Sequence, residues 1–358
     1  MHPYNHLPDE NFWRQGVFDK IYSDINFKPT TKFKITPNEK VSTGGSCFAQ
    51  HIAANLSMLG LNHFVTEEAP SILSLQRATE LHYSQFSARY GNIYTARQLR
   101  QLIEFAFGLR QMSVLAEETD RGWIDLLRPG VCNEGFDSLH DLECDRIFHL
   151  SCVRKMLLET HFFIFTLGLT EAWYEVDSNI IFPVCPGTKA GQFDPSRHHF
   201  INFTAAQIVE DLRWCIEFIN AQNPSMKWIF TVSPVALSAT ATKQNVLVAT
   251  AASKGILRAA AEEVFQAYEN CEYFPSFEIT TSPPSFGQFL NSDLREISPR
   301  GVQLVLRVFK RAFGVAALAE GGNIVVPSST EVDFEHLVRK AIQAECDEAF
   351  NNPIHVNQ

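Results

Sequence analysis

The chain has 358 residues, of which 45% are hydrophobic and 20% charged, a composition that supports a large core and disfavours intrinsic disorder. Its 40 acidic residues outnumber 30 basic ones and give a net charge of −10, which disfavours nucleic acid or an anionic membrane as the main partner. Eight cysteines without a C-x-x-C pair indicate reduced thiols, and neither a signal peptide nor a membrane-spanning run is evident. These features predict a cytoplasmic protein, whose oligomeric state the sequence leaves open.

Residues 1–40 contain four prolines and no long periodic segment, which predicts an N-terminal arm ahead of the main domain. The apolar residues expected to pack this arm on the domain are Phe12, Trp13, Val17, Phe18 and Ile21. The main domain is predicted to span residues 41–315. A boundary loop then leads into a C-terminal extension, residues 316–358, which is predicted to hold a helix and a tail.

Predicted helices and strands alternate along the main domain. Six segments are predicted to be helices, most of them from apolar residues at helical spacing: residues 48–59, 94–109, 137–159, 205–220, 246–268 and 301–313. Two continuous apolar runs, Phe162–Leu167 and residues 228–232, are typical of strands buried on both faces, as in a parallel sheet. The alternation predicts an α/β fold of three layers, with a mainly parallel sheet between helices.

A glycine turn at residues 44–47, which read Gly-Gly-Ser-Cys, precedes the first of these helices. Glycine allows a sharp turn between strand and helix and leaves room for a ligand against the backbone. Ser46 and Cys47 would then stand at a helix N-terminus, where free N–H groups stabilise negative charge, lower the pKa of a thiol and can bind an oxyanion. The alternative interpretation is a tight turn in which Ser46 caps the helix and Cys47 is a small buried residue.

Residues 45–49 read Gly-Ser-Cys-Phe-Ala, the signature after which the GSCFA domain family is named. The chain resembles that family in further blocks, and the resemblance covers residues 40–313. The blocks are residues 86–95, 166–173, 232–235, 253–258 and 273–278. The GSCFA family is similar to the SGNH/GDSL hydrolases, so the resemblance implies a flavodoxin-like α/β/α sandwich.

The SGNH pattern implies roles for several residues. Its Gly-Asp-Ser nucleophile turn corresponds to residues 45–47, which puts Cys47 in the place of the nucleophile and Ser46 beside it. Its Gly-x-Asn-Asp block corresponds to residues 168–171, with a threonine where an asparagine would bind the oxyanion. The residues implied to bind the substrate or its oxyanion are Gly45, Gly91, Asn92, Thr170 and Glu171.

The fourth SGNH block is the main departure from the pattern. Residues 293–296 have the position and spacing of Asp-x-x-His but end in Glu296, so the general base that Asp293 would orient is not a histidine. A thiol needs such a base less than a serine hydroxyl does, but an anionic glutamate would oppose thiol ionisation. Three other histidines, His82, His198 and His199, could substitute or be merely structural. The catalytic set is predicted as Cys47, Ser46, Asp293, Glu296 and His199.

The sequence shows no strong pattern for a metal site or for a nucleoside triphosphate site. Cysteines and histidines cluster between residues 132 and 152, and such ligands suit zinc. On one helix, however, the step from residue 144 to residue 149 would turn the two His/Cys pairs apart. No phosphate-binding G-x-x-x-x-G-K motif occurs. The sequence therefore predicts no metal and no required cofactor.

The resemblance implies an acyl-ester enzyme, a hydrolase or an O-acyltransferase, in which Cys47 attacks the carbonyl carbon. The expected substrate is a small molecule or an acylated glycan, and an acyl-CoA could serve as the donor. One alternative is a non-catalytic protein that binds a carbohydrate or a partner on a degenerate hydrolase fold, because fold does not imply function. A redox role for Cys47 is a weaker alternative, since no resolving cysteine is near in sequence.

Overall fold

A computed structural model describes residues 2–111 and 114–314 of the chain. Within these residues it contains ten strands: β1 (Lys40–Gly45), β2 (Asn62–His63), β3 (Ala116–Thr119), β4 (Gly122–Asp125), β5 (Phe162–Leu167), β6 (Glu171–Glu175), β7 (Ile181–Phe182), β8 (His198–Asn202), β9 (Lys227–Val232) and β10 (Cys271–Tyr273). The α-helices of the same residues are α1 (Cys47–Asn55), α2 (Leu75–Glu80), α3 (Ala96–Ala106), α4 (Leu139–Glu159), α5 (Ala205–Gln222), α6 (Val246–Ala267), α7 (Ser276–Thr281) and α8 (Pro299–Phe313).

Five strands form a central sheet in the order β2-β1-β5-β9-β10, and every neighbouring pair is parallel. Counting these strands alone, the order is 2-1-3-4-5, which is the flavodoxin-like arrangement of a doubly wound sheet. The chain crosses from one side of β1 to the other between β2 and β5. In open sheets of this type, ligands bind at this switch point, outside the carboxyl ends of the strands.

Helices cover both faces of the sheet, so the predicted three-layer α/β/α fold is confirmed. Alternate side chains of β5 point to opposite faces, as the geometry of a strand requires. Phe163 and Phe165 enter one core cluster together with residues of α3, α4, α5 and α6. Phe162 and Ile164 enter a second cluster together with residues of α1, α7 and α8. This double burial explains the unbroken apolar sequence of the strand.

The long helices lie where the apolar spacing predicts them, and their ends have identifiable causes. Thr95 and Thr204 each form a capping box with the glutamine three residues later. Helix α8 ends at Gly314, which adopts the left-handed conformation common at helix C-termini. Helix α1 is shorter than predicted, because the chain passes into turns after Asn55 and reaches Gly60 at a φ of 76°.

Two small antiparallel sheets had no counterpart in the predicted elements. Strands β3 and β4 form a hairpin, and β6 pairs with both β7 and β8. Their strands are only two to five residues long, too short to show a periodic pattern. The second of these sheets follows directly after β5 and contributes to the candidate site.

The N-terminal arm packs on the domain, but through its second half. Tyr22 donates a 2.8 Å hydrogen bond to the carbonyl of Ile279, and Lys28 forms an ion pair with the buried Glu272. Trp13, Phe18 and Ile21, which were expected to anchor the arm, have exposed side chains. The apolar spacing of a short irregular segment cannot show which side meets the domain. The predicted extension, residues 316–358, lies outside the described residues.

No helix of the described residues has the length and apolar character needed to cross a membrane.

Candidate active site

The glycine turn joins β1 to α1 as predicted, and Gly45 is required by its geometry. This residue has a φ of 132°, and a Cβ at this position would lie 2.4 Å from the carbonyl oxygen of Thr166 on the neighbouring strand β5. The backbone N–H of Ser46 donates a 3.3 Å hydrogen bond to that same oxygen. Because the side chain is absent, β1 can stay against β5 up to the last residue before α1 begins at Cys47.

A cavity of about 290 Å³ lies at the carboxyl edge of the sheet, where the switch point is. Three neighbouring strands end in its wall, β1 at Ser46 and Cys47, β5 at Gly168 and β9 at Ser233. Gly168 is also confined, because a Cβ there would lie 3.0 Å from the Cβ of Ser46. The glycine turn at residues 44–47 and Gly168 thus meet in space, through Ser46, and bring the ends of β1 and β5 together.

Most of the cavity wall is apolar. The small sheet and the segment after β9 supply these residues: Leu169, Ala172, Trp173, Phe182, Val184, Val235 and Leu237. Glu171 also lines the cavity and fastens the segment after β9, accepting hydrogen bonds from the Thr240 hydroxyl (2.6 Å) and the Ala241 N–H (2.9 Å). An apolar wall with few polar groups is typical of a small-molecule site.

Cys47 is the first residue of α1, lines the cavity and is 7% exposed. It is not in a disulfide. The first backbone N–H groups of a helix lack the regular helical partner, and the Ser46 side chain does not cap them here, although the Ala49 N–H bonds to the Ser46 carbonyl at 2.8 Å. The Ser46 hydroxyl is itself buried without a hydrogen-bond partner. The turn therefore offers a thiol, a hydroxyl and helix N–H donors beside one cavity.

Lys254 is a functional candidate that the sequence reasoning passed over. It lies on α6, is 1% exposed, and donates a 2.8 Å hydrogen bond from Nζ to the carbonyl oxygen of Gly168. Burial lowers the pKa of Lys254 to about 7; the nearby positive charge of Arg295 also lowers it, while the charge of an ionised Cys47 raises it. The sequence contains a sign of this burial, because Lys254 has helical spacing with Leu257 and Ala261 and so shares the buried face of α6 with them.

The block at residues 293–296 places a different residue in the site from the one expected. Asp293 is exposed, and its Oδ1 accepts hydrogen bonds from the backbone N–H groups of Arg295 and Glu296. Glu296 is buried, and its carboxylate lies 3.4 Å from a nitrogen of the Arg295 guanidinium. Arg295 lines the cavity, and its Nε is buried without a hydrogen-bond partner. The block thus directs a cation toward the cavity.

Of the other residues predicted to bind the oxyanion, Gly45, Gly91, Asn92 and Thr170 are not among the residues that line the cavity. The Thr170 backbone N–H and hydroxyl both bond to the Ser253 hydroxyl, at 3.2 and 3.1 Å, which fastens α6 to the turn after β5. Asn92 accepts a 3.1 Å hydrogen bond from Gln50 and lines a separate cavity of about 60 Å³. Gly91 has a φ of 67° and allows the turn that leads to this residue.

No histidine is among the described residues that line the large cavity. His199 is exposed on β8, where its ring packs edge-on against Tyr174. His198 is buried between Phe182 and Phe193, and burial lowers its pKa. A strand whose side chains alternate cannot direct both histidines to the same side, and neither belongs to the lining.

The cysteine and histidine cluster of residues 132–152 is divided between different environments. His149 is buried and bonds through Nδ1 to Glu67 at 2.7 Å, whereas Cys144 is exposed and near His140. In the part of the chain that the structure describes, no three histidine, cysteine, aspartate or glutamate side chains are arranged to hold a metal ion.

The sequence model of the GSCFA family matches residues 40–309, from the start of β1 into α8, and so includes the glycine turn, the cavity and Lys254. No curated protein matches the chain. Because the match covers most of the chain and contains every strand of the central sheet, the chain belongs to the GSCFA family.

Proposed function

We propose that this protein catalyses acyl-ester chemistry, as a hydrolase or an O-acyltransferase, with Cys47 as the nucleophile. The observation that carries the proposal is the position of Cys47 as the first residue of a helix, in the wall of a largely apolar cavity at the switch point of the sheet. A thiolate at a helix N-terminus is stabilised by the N–H groups there. The likeness of the family to SGNH/GDSL hydrolases supports the same chemistry.

In this mechanism the Cys47 sulfur attacks the carbonyl carbon of an ester and forms a tetrahedral intermediate. The negative charge that develops on the carbonyl oxygen requires hydrogen-bond donors that are already in place. The chain offers the uncapped N–H groups at the start of α1 and the guanidinium of Arg295. Collapse of the intermediate leaves an acyl-thioester on Cys47, which water or an acceptor hydroxyl then cleaves.

The cavity supports a division between the two parts of the substrate. Its apolar wall, with Trp173, Phe182 and Leu237, suits the hydrocarbon part of an acyl group. The acceptor would be a glycan hydroxyl or water, and an acyl-CoA remains a suitable donor. Transfer would exceed hydrolysis if the acyl group itself closed the cavity to water.

The test is acyl-enzyme trapping. The protein is incubated with p-nitrophenyl acetate, p-nitrophenyl butyrate or acetyl-CoA, and its intact mass and release of p-nitrophenol are measured. One acyl group should appear on the wild-type protein and none on Cys47→Ala. Cys144→Ala, which removes an exposed thiol on α4, is the control and should retain the adduct.

Two outcomes would contradict the proposal. An adduct that persists in Cys47→Ala and is lost in Ser46→Ala would move the nucleophile to the neighbouring hydroxyl. An adduct lost only in Cys185→Ala would assign it to the other thiol of the cavity, whose pKa burial raises.

A second candidate function is non-catalytic binding of a carbohydrate or a partner. The observation that favours it is the cavity lining, which has no histidine among the described residues. Binding without chemistry predicts that saccharides bind equally to the wild type and Cys47→Ala, in calorimetry, with no acyl adduct on either.

A further inference from the structure

We propose that Lys254 takes the place of the absent histidine and accepts the proton that Cys47 loses. This inference rests on the proposed function of Cys47 as a nucleophile. Its starting observation is geometric: Lys254 reaches from α6 to the carbonyl of Gly168, and Gly168 packs against Ser46, the residue before Cys47. The amine thus stands directly behind the cavity wall in which the thiol lies.

The fold holds this amine in place from two sides. Ser253, the preceding residue, bonds to the Thr170 N–H and hydroxyl, so two successive residues of α6 attach to the turn at residues 168–170. Gly168 in turn donates its N–H to the carbonyl of Tyr94 at 3.0 Å. A base has to be held near the group that it deprotonates, and these bonds fix the position of Nζ.

The charges around Lys254 leave Cys47 as its counter-ion. Its hydrogen bond to the described residues goes to a neutral carbonyl oxygen, and no described carboxylate forms an ion pair with it. The other charged group that faces it is Arg295, which repels a second positive charge. Glu171 lies in the same cavity but is bonded to Thr240 and Ala241, and Glu296 lies against Arg295. A buried ammonium needs a partner charge, and the Cys47 thiolate supplies one.

These surroundings make Lys254 able to titrate in the range in which an enzyme works. Burial lowers its pKa to about 7, so near neutral pH a substantial fraction is the neutral amine, which can accept a proton. The thiol and the amine then titrate as a pair, and the first proton leaves the pair near pH 7.

The proton moves from Sγ of Cys47 to Nζ of Lys254, which gives a thiolate and an ammonium. The thiolate forms a C–S bond to the ester carbonyl carbon, and the C–O bond to the leaving alkoxide breaks. The alkoxide takes a proton from water or from the acceptor hydroxyl, and the hydroxide or alkoxide so formed cleaves the thioester. This regenerates the thiolate beside the ammonium, with no oxidant or reductant involved.

The experiment measures the rate of Cys47 alkylation by iodoacetamide between pH 5 and 10, by peptide mass spectrometry. The variants are Lys254→Met, which keeps an unbranched apolar chain without the amine, and Lys243→Met, which removes an exposed lysine near α6 as control. The wild type and the control should share a midpoint near pH 7. In Lys254→Met the midpoint should move to the ordinary thiol value of roughly 8.5 or above, which lowers the rate at pH 7 more than about tenfold.

Ester turnover supplies the second measurement. The acidic limb of kcat/KM should have its midpoint near pH 7 in the wild type, and Lys254→Met should lose about 10²- to 10⁴-fold in kcat. Lys254→Ala, which leaves space behind Gly168, should regain part of this rate with methylamine or ethylamine, in proportion to the free base present. A residue with only a structural role would show neither a moved pH profile nor rescue by an amine.

The two proposals fail in distinguishable ways. If esters are turned over and the alkylation and kcat/KM profiles are the same in the wild type and Lys254→Met, Lys254 is not the proton acceptor and Cys47 keeps its proposed role. If no ester is turned over but the alkylation midpoint moves in Lys254→Met, the pairing of amine and thiol stands and the acyl chemistry is wrong.

Discussion

The Nζ of Lys254 lies 2.8 Å from the carbonyl oxygen of Gly168 and donates a hydrogen bond to it. The two residues are 86 positions apart in the chain, and their contact joins helix α6 to the end of the central strand β5. A Cβ on Gly168 would lie 3.0 to 3.2 Å from atoms of Ser46 and Tyr94, so the absence of a side chain lets these two neighbours pack closely against it. A buried ammonium, a glycine and the cysteine turn therefore form one unit at the edge of the sheet.

Replacing the buried lysine should stabilise the protein at low pH. The pKa of Lys254 is about 7 in the folded protein and 10.5 when unperturbed, so between these values the unfolded chain binds more protons and wild-type stability rises with pH. Below pH 7 the folded protein holds a buried ammonium. Lys254→Met should therefore raise the free energy of unfolding by up to about 5 kcal/mol at pH 6.

The measurement is urea unfolding of both proteins at pH 6, 8 and 10. Because Cys47 is the group that Lys254 is proposed to influence, the same comparison is made in the Cys47→Ala background, where the difference in the free energy of unfolding reports Lys254 alone. The difference in the free energy of unfolding between Lys254→Met and the wild type should become smaller as the pH rises from 7 toward 10.5, by up to about 1.4 kcal/mol per pH unit. A difference that stays constant over this range would show that Lys254 titrates normally.

The two glycines of the site should differ in their tolerance of a methyl group. Gly45→Ala combines a φ of 132° with a Cβ at 2.4 Å from the Thr166 carbonyl, and should lower the free energy of unfolding by about 3 kcal/mol or more. Gly168→Ala meets side-chain and backbone atoms at 3.0 to 3.2 Å, and should cost about 1 to 3 kcal/mol. Thermal denaturation compares the two, and equal losses would contradict the close approach of Gly45 to β5.

Replacing Arg295, whose side chain lines the cavity, should move the pH midpoint of Cys47 alkylation to a higher pH. Arg295 lowers the pKa of Lys254, so Arg295→Met removes a repelling charge and also the cation that lies 3.4 Å from the Glu296 carboxylate. Both changes favour the ammonium form, and the midpoint of the acidic limb of alkylation should rise. Arg300→Met, an exposed arginine near Phe289, is the matched control. If the pH midpoint of alkylation falls or does not change in Arg295→Met, then Arg295 does not lower the pKa of Lys254.

Glu171 should affect substrate binding more than the chemical step. It holds the segment after β9 against the small sheet through Thr240 and Ala241. Glu171→Gln weakens both bonds and Thr240→Val removes one, and each should raise KM about fivefold with a smaller change in kcat. Steady-state kinetics with p-nitrophenyl butyrate tests this. A loss in kcat at constant KM would instead place Glu171 in the reaction.

The sequence by itself determined the layers of the fold. Burial can be predicted from the unbroken apolar run of β5 and from the apolar spacing along α4, α5 and α6. The side chains on one face of such an element pack into the same core, so they are apolar together. The glycine turn could also be predicted from the sequence, because Gly45, Ser46 and Cys47 are consecutive residues. A strand that passes directly into a helix needs this local geometry.

The tertiary structure alone decided which distant side chains accompany Cys47. The sequence pattern directed attention to Asp293, Glu296 and His199, whereas the described cavity is lined by Arg295 and backed by Lys254. Spacing within a motif cannot show which of four successive residues turns inward, nor that a lysine on a helix 207 positions after the cysteine is buried beside it. These relationships arise when strands of a parallel sheet end at one edge and bring separate segments together.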